Sequence, residues 1–320
     1  MAFLDLENDA NPNDTLWRYM DLSKFLSLIL NKNLVFPRFD KFEDTFEGYS
    51  LNFIELVKKQ MLEEHNFDAS TIEFVMGIFS DSVAISNYFA YISCWHLNDF
   101  ESAGMWKLYC STDESLVIKT DVESLKKALQ LSEESNVIFS KVTYDSKLKD
   151  RNINDLRDVN VFNALLMKRE SFEHEKEYRI LLTSDDERLT IVKKNLQNQE
   201  LVLEKWKDEK TVKYMEEIKE KISNNQIEKE HLQRKKLVDD LFEQINLEYK
   251  YENDELKSIL SKLSSERDGI KKINLDPEIL IKEIIVSPYS PKWFVSTLQK
   301  LVLDLGYSFE VTQSELYNLK

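Results

Sequence analysis

The sequence predicts an α+β fold, a mixed β core with flanking helices and a helical insertion. Three observations carry that prediction. Runs rich in β-branched and aromatic residues alternate with amphipathic stretches in the order β-α-β, helices, β-α-β-β-α-β, helical arm, β-α-β. Only five glycines and five prolines occur in 320 residues, so long flexible linkers are absent. From about Leu196 to Lys272 the charge becomes nearly balanced, 18 acidic residues against 16 basic, in a chain whose net charge is −15. The expected parts are residues 1–195 for the first portion of the core, 196–272 for the insertion and 273–320 for the C-terminal portion.

The elements follow in order. "TLWRYM" reads as a short strand, and Asp21 as the N-cap of a helix whose stripe is Leu22, Phe25, Leu26, Ile29 and Leu30. "NKN" ends that helix, "LVFPRF" is extended with Pro37 near its end, and "FEDTFEG" is an acidic loop. Residues 50–90 carry helical periodicity. "YISCWHL" is a strand, "ESAGMWKLYC" a short helix, "SLVIKTD" a strand, "VESLKKALQL" a helix and "VIFSKVTYD" a strand. "DVNVFNALLMKRESF" reads as a helix and "EKEYRILLT" as the next strand. In the insertion, Met215, Ile218 and Ile222, then Leu237, Leu241 and Ile245, then Leu256, Ile259 and Leu263 recur at helical spacing, which predicts two or three antiparallel helices. "IKEIIVS" is a strand. Ser290 fits an N-cap, Pro291 the first helical position and Gly306 the stop of a helix, after which "YSFEVTQSEL" closes the fold as a strand.

Composition narrows the function classes. A sequence pI near 4.9 argues against broad, non-specific binding to DNA or RNA, which rests on clustered basic side chains. The two cysteines, Cys94 and Cys110, have neither zinc-ligand spacing nor the count of a disulfide framework, so a reduced, cytoplasmic setting is expected. "MAFLDLENDANPNDT" lacks the basic and apolar regions of a signal peptide, and no apolar run is long enough to span a bilayer.

"FEHEKEYRILLT" places glutamates at every second position, Glu173, Glu175 and Glu177. If extended, all three lean to one face of the strand. Two readings stand side by side: a carboxylate site, or a solvated strand entrance balanced by Lys168, Arg169, Lys176 or Arg179. Asp40, Glu43, Asp44 and Glu47 could supply oxygen ligands to a divalent cation and, with Glu175 and Glu177, a metal-dependent nuclease site, but their spacing matches no calcium-loop pattern. No metal is expected. Cys94 and His96 share a strand face, as a nucleophile and base would, but no clear orienting group accompanies them.

The segments "LWRYMDLSKFLSLILNKNLVFPRFDKFEDTFEG", "SCWHLNDFESAGMWKLY", "SFEHEKEYRIL" and "IKEIIVSPYSPKWF" together resemble a bacterial and phage family known as domain of unknown function 2971. A second resemblance is to the ADP-ribosyltransferase fold, carried by Arg18 in "LWRYM", Ser93 in "YISCW" and Glu175-x-Glu177 in "EKEYRILL", in the chain order of the arginine-type subgroup. The usual Ser-Thr-Ser run is here Ser93-Cys94-Trp95, and a Gly-rich nicotinamide loop is absent. This second resemblance implies NAD as co-substrate. Glu177 would stabilise the positive charge that develops on the ribose, and Glu175 would orient or deprotonate the acceptor. Arg18 would meet the pyrophosphate or a ribose hydroxyl, Ser93 would hold the strand and the ribose, and Trp17, Tyr19 or Trp95 would stack on nicotinamide. The implied function is transfer of ADP-ribose to a macromolecule, in phage defence or as a toxin effector. The alternative is a non-enzymatic module of a defence or toxin–antitoxin system that binds a partner protein through helices in 196–272.

Overall fold

The computed structural model describes residues 9–42, 86–88, 90–110, 112–131, 137–144, 164–183, 258, 261–262, 265 and 269–317. The acidic loop from Glu43, the helices expected in 50–90 apart from its end, and nearly all of the helical arm lie outside the described residues.

The described chain is a mixed α/β structure built on a large, mostly antiparallel sheet. Its strands are β1 (Thr15–Asp21), β3 (Ala90–Leu97), β4 (Ser115–Asp121), β5 (Val137–Lys141), β8 (Glu177–Thr183), β10 (Glu283–Val286) and β11 (Glu310–Gln313). They lie in the order β11-β10-β4-β1-β3-β8-β5. Among the described strands of this sheet, only β10 and β11 are parallel neighbours. A parallel neighbour needs a crossover, and the helix Lys292–Asp304 supplies it. Two small sheets flank the large one. β2 (Asn33–Pro37) pairs with β9 (Ile270–Asn274), and β6 (Thr143–Tyr144) with β7 (Met167–Lys168). β9 therefore lies across the boundary expected at residue 272.

Five helices complete the described fold: α1 (Leu22–Asn31), α2 (Ala103–Tyr109), α3 (Val122–Ala128), α4 (Pro277–Leu280) and α5 (Lys292–Asp304). Strand alternation sorts the side chains onto two faces. On one face Leu16, Met20, Trp95, Tyr178 and Ile180 pack with Phe25 and Ile29 of α1 and Phe294 and Leu298 of α5. On the opposite face Trp17, Tyr19, Val117 and Ile285 pack with Met105 and Trp106 of α2. Further along that face, Ala90, Ile92 and Leu181 meet Phe39 and Leu165.

Three local expectations change. Asp21 occupies the N-cap position of α1 without a capping bond; its Oδ1 accepts from the Ser115 hydroxyl instead. Ser290 gives its hydroxyl to the Asp113 carbonyl, and Pro291 takes the cap position, so α5 begins at Lys292. The helix expected through Phe172 ends before Met167, because Met167 and Lys168 pair with Thr143 and Tyr144. A short 3-10 helix, Glu170–Glu175, follows. Gly306 does stop α5, with φ +85°, a conformation that a side chain would disfavour.

The large sheet opens at its centre. β1 pairs with β4 from Thr15 to Asp21, but with β3 only at Leu16↔Leu97 and Trp17↔His96. From Arg18 onward β1 and β3 have no shared register.

Candidate functional site

Arg18 stands where the two strands part. Its Nη1 donates to the Ser93 hydroxyl, 75 positions away in sequence, and its guanidinium lies over the Trp95 ring at 5.3 Å from the centroid. Among the described residues these are its only hydrogen-bond and ring partners; Cys94 is an electrostatic neighbour, and no carboxylate pairs with it. Arg18 keeps some exposure by surface area, whereas Ser93 and Trp95 are buried. Burial nevertheless lowers the guanidinium pKa from 12.5 to about 10. Beneath the guanidinium, the indole N–H of Trp95 is sealed from solvent and has no acceptor. An unsatisfied buried donor costs about 1–3 kcal/mol.

The glutamates occupy the other face. The segment holding Glu173 and Glu175 is 3-10 helical, Lys176 is left-handed with φ 41°, and the strand begins only at Glu177. The alternation expected of the three carboxylates is therefore broken. Glu175 and Glu177 still converge, through a cation. Lys168 Nζ donates to Glu175 Oε2 at 3.0 Å and to Glu177 Oε1 at 3.0 Å. Arg179 Nε donates to Glu177 Oε2 at 2.6 Å, and its Nη1 to the Leu165 carbonyl at 2.6 Å. The Tyr109 hydroxyl donates to Glu175 Oε2 at 2.7 Å, and the Glu177 backbone N–H donates to the Tyr144 hydroxyl at 2.9 Å. All four ionic side chains are buried, and their formal charges cancel.

The two carboxyls are driven apart in acidity. Burial pushes Glu177 up, but Arg179 and Lys168 overcome it and hold the carboxyl at about 2. Burial raises Glu175, helped by its hydrogen bond to the Glu177 carboxyl and by that group's charge. The Tyr109 phenol is raised by burial and by Glu175. Beside this cluster, His96 Nδ1 lies 2.6 Å from the Glu175 carbonyl, while Nε2 has no partner. Burial lowers the His96 pKa, so the neutral imidazole donates from Nδ1.

The sequence-predicted residues thus divide. Arg18, Ser93 and Trp95 come together. Glu175 and Glu177 do not join them. Ser93 registers with Ile180, and His96 with Glu177; positions three apart on one strand face opposite sides. The carboxylate of Glu177 is on the far side of the sheet from the guanidinium of Arg18, so the three side chains do not line one groove. Tyr19 is also on the Glu177 side. Its hydroxyl accepts from the Ser102 backbone N–H at 2.8 Å, and its ring meets Trp106 edge-on at 5.0 Å, which ties the start of α2 to β1. It is not placed to stack on a ligand beside Arg18. Trp95 carries the guanidinium itself. The sequence reading did not single out Tyr109 and Tyr144 as partners of the glutamates; they lie far away in the chain and no spacing rule links them.

Asp40 accepts from Arg38 Nε at 2.6 Å, whereas Glu43, Asp44 and Glu47 lie outside the described residues. Among the described residues no three His, Cys, Asp or Glu side chains gather as metal ligands. No helix among them is long and apolar enough to cross a membrane.

Residues 105–180 match the model of a family described as protein of unknown function, DUF2971. That segment contains Tyr109, Lys168, Glu175, Glu177 and Arg179 and supports the resemblance there; Arg18, Ser93 and Trp95 precede it. No curated protein and no solved structure matches the chain. The likeness to the ADP-ribosyltransferase fold finds no support in these comparisons.

Proposed function

We propose that the chain binds an anionic, nucleotide-type ligand in the opening between β1 and β3, with Arg18 as the group that meets the anion. The observation that carries this reading is a desolvated guanidinium that no described carboxylate neutralises, in a chain with 58 acidic and 43 basic residues. Acidic side chains are plentiful, and Lys168 and Arg179 are both paired with them. A partly buried cation without a described counter-charge lowers stability, and an incoming oxyanion reverses that cost. A strongly desolvated ionisable group without a described counter-charge is a physical pointer to a functional site.

NAD is the first ligand to test, since the resemblance to ADP-ribosyltransferases names it and its pyrophosphate suits the guanidinium fork. The proposal covers binding and not transfer. Glu177, whose charge is taken up by Lys168 and Arg179 on the far face, is not free to steady a ribosyl cation beside Arg18. Calorimetric titration of the full chain with NAD, ADP-ribose and inorganic pyrophosphate tests the reading. Arg18→Met should weaken each ligand at least tenfold. Equal affinities in wild type and variant would overturn it.

A further inference from the structure

We infer that Trp95 is a second donor for the same ligand, and that the anion taken up is a phosphoryl group bridging the Arg18 guanidinium and the Trp95 indole N–H. This inference rests on the binding site proposed above and names its specificity. Two independent features point to it. Trp95 is 1% exposed, and its Nε1 is the one polar atom of a large buried side chain, yet it has no acceptor. Buried indole N–H groups usually find one. The ring that carries this N–H is also the ring over which the guanidinium lies, at 5.3 Å from Cζ to centroid. The orphan donor and the uncompensated cation are thus neighbours on one face, at the point where β1 leaves β3.

The geometry favours a tetrahedral oxyanion. The indole N–H lies in the plane of the ring, whereas the guanidinium sits above that plane. A planar carboxylate seated in the guanidinium fork keeps its remaining lone pairs in the plane of the fork. A phosphoryl group has further oxygens directed out of that plane, and one of them can accept from the indole. Ser93, which already accepts from Arg18 Nη1, fixes the remaining edge of the fork. Trp95 thereby selects phosphoryl over carboxylate ligands, while Arg18 supplies most of the affinity.

The test uses the full chain and two probes, inorganic pyrophosphate and succinate, titrated into wild type, Trp95→Phe and Arg18→Met. Phenylalanine keeps an aromatic face beneath the guanidinium and removes only the donor end of the ring. Trp95→Phe removes buried ring atoms along with the donor, so the urea midpoint should fall modestly, while in the folded protein pyrophosphate weakens about tenfold and succinate is unchanged. If Arg18→Met abolishes pyrophosphate binding while Trp95→Phe leaves it intact, the assignment of Trp95 is wrong and the Arg18 site stands. If neither substitution alters binding, both are wrong. Should Trp95→Phe fail to fold, the indole 15N–1H spectrum of the wild type decides. Pyrophosphate should shift one of the five tryptophan resonances downfield in wild type but not in Arg18→Met; five unmoved resonances would overturn the inference.

Discussion

Replacing Glu177 with Gln separates a structural carboxylate from a catalytic one. Glu177 is 6% exposed and accepts from both Lys168 and Arg179, which are 7% and 0% exposed. The substitution keeps the volume and removes the charge, so Lys168 and Arg179 lose the carboxylate that both of them meet. The fall in the Glu177 pKa from 4.5 to about 2 corresponds to ~3 kcal/mol of folded-state preference for the carboxylate, at 1.36 kcal/mol per unit. Removal of one partner from a buried ion pair generally costs about 3–5 kcal/mol. The two routes agree on a loss of about 3 kcal/mol. Urea unfolding followed by circular dichroism measures it, with the midpoint falling by roughly 1 M or more at ordinary denaturant slopes. Pyrophosphate affinity should persist in native buffer, because Glu177 lies on the face opposite Arg18. A loss of less than about 1 kcal/mol, together with abolished ligand binding, would refute the structural role and return Glu177 to the ligand site.

Other outcomes follow from the same geometry. The stabilisation from Glu177 is present above the ordinary carboxyl pKa of 4.5 and is lost as pH falls through about 2; acid unfolding of Glu177→Gln should lack that component. Glu175 carries the opposite sign. Its raised pKa makes the folded state hold a proton that the unfolded state releases, so stability falls as pH rises above 4.5 toward the folded value. Glu175→Gln, which mimics the protonated form, should flatten that fall in a series of urea midpoints. Gly269→Ala should destabilise by about 1–2 kcal/mol, because the new Cβ would stand 3.3 Å from Arg38 Cβ, Cζ and Nε, and Arg38 is fixed by Asp40. A thermal melt checks this, and an unchanged midpoint would show that Arg38 yields without cost.

Periodicity made much of the sheet legible. The stripe of α1, the strands of "YISCWHL" and "SLVIKTD", and the α5–β11 closure could be read from apolar spacing because each buries one face on a common core. The pairing of Arg18 with Ser93, which do meet, was legible only as an implication of the resemblance to the ADP-ribosyltransferase fold. Their separation from Glu177 was not. It depends on the register between β3 and β8, which pairs Ser93 with Ile180 and His96 with Glu177. A single strand reveals its own alternation but not how its partner is set against it. The glutamate run misled for a local reason. Alternation counts only in an extended chain, and a 3-10 helix followed by left-handed Lys176 ends it before the strand starts. The ion network was half visible, since Lys168 and Arg179 lie close in sequence, while Tyr109 reaches Glu175 across 66 positions.

The measurement that bears most directly on the account is the affinity of the full chain for inorganic pyrophosphate, wild type against Arg18→Met, at two ionic strengths. Wild type should bind, more weakly at the higher salt because the attraction is between charges, and the variant should lose at least tenfold at the lower. Pyrophosphate binding that is the same with and without the guanidinium would contradict the claim that the opening between β1 and β3 is an anion site.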